Sequence, residues 1–259
     1  MYPLPEYVLN ALYQADSVAV EFDPTVLTES NYVDALQNVR YQDGSTIGDH
    51  LPPDVYQNAR AVLEEHGMYG PHMEHYKPSF WANSISTVLM NQLPYTADKG
   101  VDRHIISLAK QKNIPVKNIE SLHSQYAMFG NYSPLLQTTL LESALTTYKQ
   151  GPDLYLAEMN NLMDAWFFGR KSELGRLLQE DDPELTDDQK NDELLQEYKN
   201  AMYTTRNRAM YDYILQCFEN KESTFVCVGA AHIVGTDSAL YDALRAANDK
   251  QWTVTSLGQ

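Results

Sequence analysis

Apolar residues at Tyr7, Val8, Ala11 and Leu12 follow Pro3 and Pro5 at helical spacing, and after Ala15-Asp16 the period changes to the alternating run SVAVEF over residues 17–22. A helix feeding a strand is predicted, because a period near 3.6 marks a helix buried on one side and a period of two marks a strand. Pro52, Pro53 and Asp54 precede Val55, Ala59, Val62 and Leu63, a second helix that ends at His66-Gly67. A third helix is predicted over residues 79–90. From Gly100, Val101, Ile105, Leu108 and Ala109 keep helical spacing before residues 113–119 (NIPVKNI) become extended, a further helix-to-strand unit. Ser133-Pro134 is a capped start, Leu136, Leu140, Leu141, Ala144 and Leu145 form one apolar face, and Gly151-Pro152 ends that helix. Helices are also predicted over residues 154–168 and 194–218. Strand pattern returns at residues 224–229, followed by a helix at about 238–247 and a last strand at 252–256. No internal repeat is visible. The order predicts an α/β fold: a small central sheet flanked by helices, with a large helical insertion at about residues 131–218 in the middle of the chain.

A length of 259 residues fits one domain with a sizeable core. The formal net charge of −16 would repel nucleic-acid phosphates and anionic lipid alike, so no nucleic-acid partner is expected. Part of that charge is the acidic run of residues 180–197, which reads as a solvated helix or loop face. The two cysteines, Cys217 and Cys227, make neither a disulfide framework nor a metal-type pair, and each reads as a small buried residue. No apolar run approaches the roughly 18–20 residues that cross a bilayer, so no integral membrane segment is expected. The start MYPLPEYVLN lacks the pattern of a secretory signal. The compartment stays open; a bacterial cell-envelope or periplasmic location is the expectation if an N-terminal signal has been lost.

The segment FVCVGAAHIVG, residues 225–235, is the most informative. Phe225, Val226, Cys227 and Val228 suit a strand buried on both faces, and Gly229 would let the chain turn sharply at its carboxyl end. His232 lies in that turn, where open α/β sheets bind ligands, and Thr236, Asp237 and Ser238 suit the cap of a helix pointing toward the same crevice. An imidazole there can ligate a metal or act as a general base. The alternative is a structural histidine bonded to a neighbouring carbonyl.

FVCVGAAHIVGTDSALYDALRAA resembles the C-terminal signature of the TraB/PrgY/GumN family, to which the TIKI metalloproteases are related. YPLPEYVLNALYQADSVAVEFD is similar to the stretch after the family's first motif, GVDRHIISLAKQKNIPVKNIESLHSQYAMF to its central block, and Arg206-Asn207 to an arginine-asparagine pair about 25 residues before the histidine. The resemblance implies a metal-dependent, peptidase-like hydrolase acting on a peptide or small molecule. Its divalent ion (manganese, cobalt or zinc) would be held by His232 and Glu21, with Glu120 and Arg206 assisting catalysis. Each assignment has a plainer alternative. Glu21 can sit on a solvated strand face, Glu120 before Ser121 can be a helix-start residue, Arg206 can cap or pair within the helices, and Asp102 can simply favour a helix dipole.

The family's first glycine-x-x-histidine, expected on a strand just before YPLPE, has no counterpart after Met1. His232 is then expected to be one half of a two-histidine site. A non-catalytic peptide- or small-molecule-binding regulatory protein with an incomplete metal site is the competing expectation. A missing strand would also expose a sheet edge and favour a homo-oligomer. Nothing in the pattern ties His72, His75, His104 or His123 to the His232 loop. No glycine-rich phosphate loop, nucleophile elbow or zincin motif is present.

Overall fold

The structure, a computed structural model, describes residues 3–180, 189–234, 239–247 and 252–255. In chain order, helix α1 (Glu6–Tyr13) leads into strand β1 (Ser17–Val20), then α2 (Glu29–Leu36), α3 (Pro53–Glu65), α4 (Pro78–Asn91), α5 (Val101–Gln111) and strand β2 (Val116–Asn118). The middle of the chain is helical: α6 (Leu122–Gly130), α7 (Pro134–Gln150), α8 (Pro152–Phe167), α9 (Lys171–Glu180), α10 (Gln189–Lys199) and α11 (Thr205–Glu219). Strand β3 (Thr224–Cys227), a single turn α12 (Ala230–Ile233) and α13 (Leu240–Ala246) complete the described chain. The expected α/β fold, a small sheet flanked by many helices, is what the structure has.

All described strands are parallel, in the order β2-β1-β3. Val18 is in register with Val116 on one side and Phe225 on the other. Parallel neighbours cannot be joined by hairpins, so each crossover carries helices. β1 is the middle strand and all four of its residues are buried. Val18 and Val20 pack with Leu4 and Leu12 from the α1 segment and Ile105, Ile106 and Ala109 of α5. At the amino end of the sheet, Glu222 accepts hydrogen bonds from Ser17 Oγ at 2.7 Å and from Lys117, joining all three strand starts. Just past the carboxyl end, buried Asp23 accepts from Thr25 N at 2.9 Å and Lys110 Nζ at 2.8 Å, pinning the chain that leaves β1.

A second core is helical. α4 packs along α7, and Trp81, fully buried, sits among Ile85, Leu141, Ala144 and Leu145 with its indole N–H donated to Met73 O at 2.9 Å. α7 begins where Ser133-Pro134 predicts. Ser133 Oγ accepts from Leu136 N, and Glu197 of the acidic run accepts from Ser133 N at 2.6 Å and Oγ at 2.7 Å. Glu197 is thus structural rather than only solvated; residues 181–188 of the run lie outside the described residues.

Three expectations change. β3 is half-buried along its length rather than buried on both faces, because among the described residues it pairs only with β1. No strand forms over residues 252–255. Trp252 instead stacks on Phe218 at 5.0 Å and 7°, with its indole N–H directed at Leu244 O, so the indole finds an aromatic face and a carbonyl partner against α11 and α13. The helix expected over 194–218 is also interrupted, by a π-helical turn at Asn200–Thr204.

The close approach of α6 to the segment after α2 depends on Gly130. A Cβ there would lie 1.9 Å from Asn38 O and 2.7 Å from Asn38 C, and Lys77 Nζ donates to Gly130 O at 2.6 Å from the same side. Gly130→Ala is expected to destabilise the fold by about 1–3 kcal/mol, since the obstacle is backbone and not a movable side chain. Urea unfolding curves of the two proteins measure it, with an unchanged midpoint the contrary result.

Candidate functional site

β1 and β2 end side by side, and their register brings the residues just after them together: Glu120 N donates to Glu21 O at 2.9 Å. Both carboxylates therefore leave the sheet at its carboxyl edge. β3 ends there too and passes into the loop Val228-Gly229 and the turn α12, which carries His232. The fourth contributor is the start of α11. Its π-helical lead-in accommodates one residue more per turn than an α-helix, which redirects the residues after it. Arg206 and Asn207 emerge there, and Tyr203 from the π turn places its ring edge against the His232 imidazole at 6.1 Å.

Arg206 holds the two carboxylates as a fork. Its Nε donates to Glu120 Oε1 at 2.7 Å, and its Nη2 donates to Glu120 Oε2 at 2.9 Å and Glu21 Oε2 at 2.7 Å. A planar guanidinium is suited to this because its donors are fixed in direction. Gln125 Nε2 donates to Glu120 Oε2 at 3.0 Å. Burial works to raise the Glu120 pKa, but the hydrogen bonds from Arg206 and Gln125 outweigh it and hold the carboxyl below its ordinary 4.5. Burial likewise opposes the charge of Arg206, and the two carboxylates more than offset it.

The other oxygen of Glu21 faces β3. Gly229 N donates to Glu21 Oε1 at 2.6 Å, and a Cβ on Gly229 would sit 3.2 Å from that oxygen. Gly229 has φ −56°, so its value here is close approach to a carboxylate and not the sharp glycine-only turn expected from the sequence. His232 is buried, and its Nδ1 donates to Asn207 Oδ1 at 2.6 Å. That bond fixes the tautomer and leaves the lone pair on Nε2, which lies 3.8 Å from Glu21 Oε1. Burial pushes the imidazole below its ordinary 6.5, favouring the neutral ring. Cys227 is no nucleophile at this edge: burial, then the charges of Asp102 and Glu21, push its thiol up to about 12.

His232, Glu21, Glu120 and Arg206, drawn from distant parts of the chain, thus meet at one point. Glu21 is not on a solvated face, and Arg206 pairs outside its own helix. The expected capping residues Thr236, Asp237 and Ser238 lie outside the described residues. The sequence reading named Asn207 only as part of the Arg206-Asn207 pair, without a role, and passed over Gln125 and Tyr203. Asn207 had a signal: a polar residue on the inward face of a helix, with a histidine 25 positions on. His232 Nε2 and Glu21 Oε1 are close enough to share a divalent ion, whose bonds to such atoms are about 2.0–2.2 Å. No group of three or more histidine, cysteine, aspartate or glutamate side chains among the described residues is placed to hold a metal, so His232 and Glu21 supply two donors, fewer than the three or four protein ligands of a usual zinc-type site.

Compared with known families, the chain matches the model of the TraB/PrgY/gumN family over residues 1–250. No curated protein and no solved structure matches it.

The guanidinium fork predicts a stability effect. Arg206→Met leaves two adjacent carboxylates without a counter-charge and is expected to cost about 3–5 kcal/mol in chemical denaturation. The pH dependence follows from Glu120. A carboxyl held below 4.5 when folded stabilises the protein above that pH and loses the contribution as pH falls through its folded value. Glu120→Gln should therefore flatten the acid limb of the stability-against-pH curve; parallel limbs for the two proteins would contradict the arrangement.

Proposed function

The chain belongs to the TraB/PrgY/gumN family, and on that premise we propose that it is a metal-dependent hydrolase of peptidase-like type, with His232 Nε2 and Glu21 Oε1 as the protein atoms that would hold the ion. The observation that carries this reading is the buried Asn207–His232 hydrogen bond. Any buried histidine needs a hydrogen-bond partner, but this one spends Nδ1 on Asn207 and leaves Nε2 facing Glu21, the arrangement a ligand nitrogen requires. When bound, a divalent ion such as manganese, cobalt or zinc would supply Lewis acidity and an activated water.

The protein's own groups do the rest. Burial keeps His232 neutral, so its lone pair is available near neutral pH. Gly229 N and Arg206 hold Glu21 from two sides, fixing where its carboxylate points. Glu120 is occupied on both oxygens by Arg206 and Gln125, which makes it the anchor of the guanidinium. Arg206, whose Nε and Nη2 hold the two carboxylates, would be the cation that steadies negative charge developing on a polarised carbonyl.

A second reading is a regulatory protein that captures a peptide or small molecule without cleaving it. It is favoured by the same fork, because both carboxylates are already engaged and the described residues supply only the pair of donors.

Metal analysis of the purified chain together with peptide-hydrolysis assays tests the choice. Stoichiometric metal, turnover abolished by chelation and by His232→Ala, and about 10–100-fold weaker metal binding in Asn207→Ala are expected. No bound metal and equal cleavage by wild type and His232→Ala would overturn the hydrolase reading. Calorimetric binding of peptide without turnover would establish the second.

A further inference from the structure

Beside this edge of the sheet opens a cleft of about 930 Å³, within the usual range of small-molecule sites. Glu21, Gly229 and Ala230 are among its lining residues, so it begins where the hydrolytic site ends. The walls that face them come from far along the chain: Met90 at the end of α4, Met159, Leu162, Met163 and Trp166 on α8, and Leu174 on α9. Their spacing on α8 puts these four side chains on one face, each half-exposed and lining the cleft.

We infer that this cleft holds the unbranched acyl chain of a neutral acyl amide whose carbonyl lies at the Glu21–Gly229 edge. The choice among apolar ligands follows from what the walls lack. The lining carries Tyr95, Thr96 and Gln125, but the α8 and α9 walls offer methionine, leucine and tryptophan, and a peptide lying along them would bring a polar amide every third backbone atom with no partner there. A hydrocarbon chain needs none. Methionine suits it, being flexible and polarizable enough to follow a chain that changes its own torsions. The charged lining residues are balanced in sign, Glu21 and Asp102 against Lys99 and Arg103, and Arg103 pairs with Asp98 at 3.6 Å. Together with the −16 formal charge of the chain, that balance favours an uncharged head group over a free fatty acid.

The inference deepens the hydrolase reading and rests on it for the bond that is cut: water adds across the amide C–N bond, its hydroxyl going to the acyl carbon and its proton to the departing amine. The binding itself does not require turnover. Trp166 reports on it, since Trp81 is fully buried and Trp252 is stacked on Phe218.

Titration of the full chain with 12-bromododecanamide, read by quenching of tryptophan fluorescence, is the test. Saturable quenching is expected, absent in Trp166→Phe. Affinity should fall at least about tenfold in Met163→Glu, where a charge would enter an apolar wall, and less in the milder Met159→Gln. Both side chains face open space, and circular dichroism checks that the variants keep their helices. Binding without release of ammonia would remove the hydrolase reading and leave the cleft assignment standing. The inference is overturned by unsaturable quenching, by equal affinity in wild type and Met163→Glu, or by an apolar peptide such as acetyl-Leu-Leu-Phe-amide displacing the probe more strongly than dodecanamide does.

Discussion

One guanidinium ties the carboxyl edge of the sheet together. Arg206 reaches from the start of α11 to the residue after β1 and to the residue that follows β2 by two, so three separate segments share one charge. Two carboxylates this close would otherwise repel, and partial burial would make that repulsion worse. With the guanidinium between them the Glu120 carboxyl is held below its ordinary range, and Glu21 keeps an oxygen for β3 through Gly229. The matching device at the other end, Glu222 with Ser17 and Lys117, is more exposed and ties strand starts only. The sheet is short, and its two ends are held by ions as much as by its ladder of backbone bonds.

Adjacent positions on α11 divide the labour at the site. Arg206 takes the carboxylates and Asn207 takes the imidazole, so the helix sets the spacing between the acidic and the histidine sides. The π turn ends just before them, and adjacent positions of α11 point about 100° apart, so one helix start faces both sides of the site. Tyr203, in that same turn, closes over the histidine. A local departure from regular helix thus coincides with the place where side chains must converge.

Much of this was legible in the sequence, and the limits have physical causes. Prolines at the starts of α3 and α7 marked where those helices begin, and periodicity placed α1, α5 and all the described strands within a few residues. The resemblance carried Glu21, Glu120, Arg206 and His232, whose meeting in space no local pattern shows. Period and composition could not reveal the half-burial of β3, which depends on how many neighbours a strand has, nor the stacking of Trp252 on Phe218, which depends on a helix 34 positions earlier. The π turn keeps helical composition and is silent to any window. The cleft escaped for a related reason: the pattern over residues 154–168 shows that a helix forms, and only its packing leaves the α8 methionines lining open space.

The parallel sheet also says something about when the site comes into being. Glu21 and Gly229 bond across 208 positions of chain, at the end of the β1–β3 pair. Helix pairs such as α4 with α7 close shorter loops, so they can gain contacts before the strands do. The expected order is helices first and the carboxyl edge last, with a stage at which the chain is largely helical yet has no binding edge at all. The site is therefore a marker of completed topology: helix content alone, in this protein, says little about whether the fold has closed.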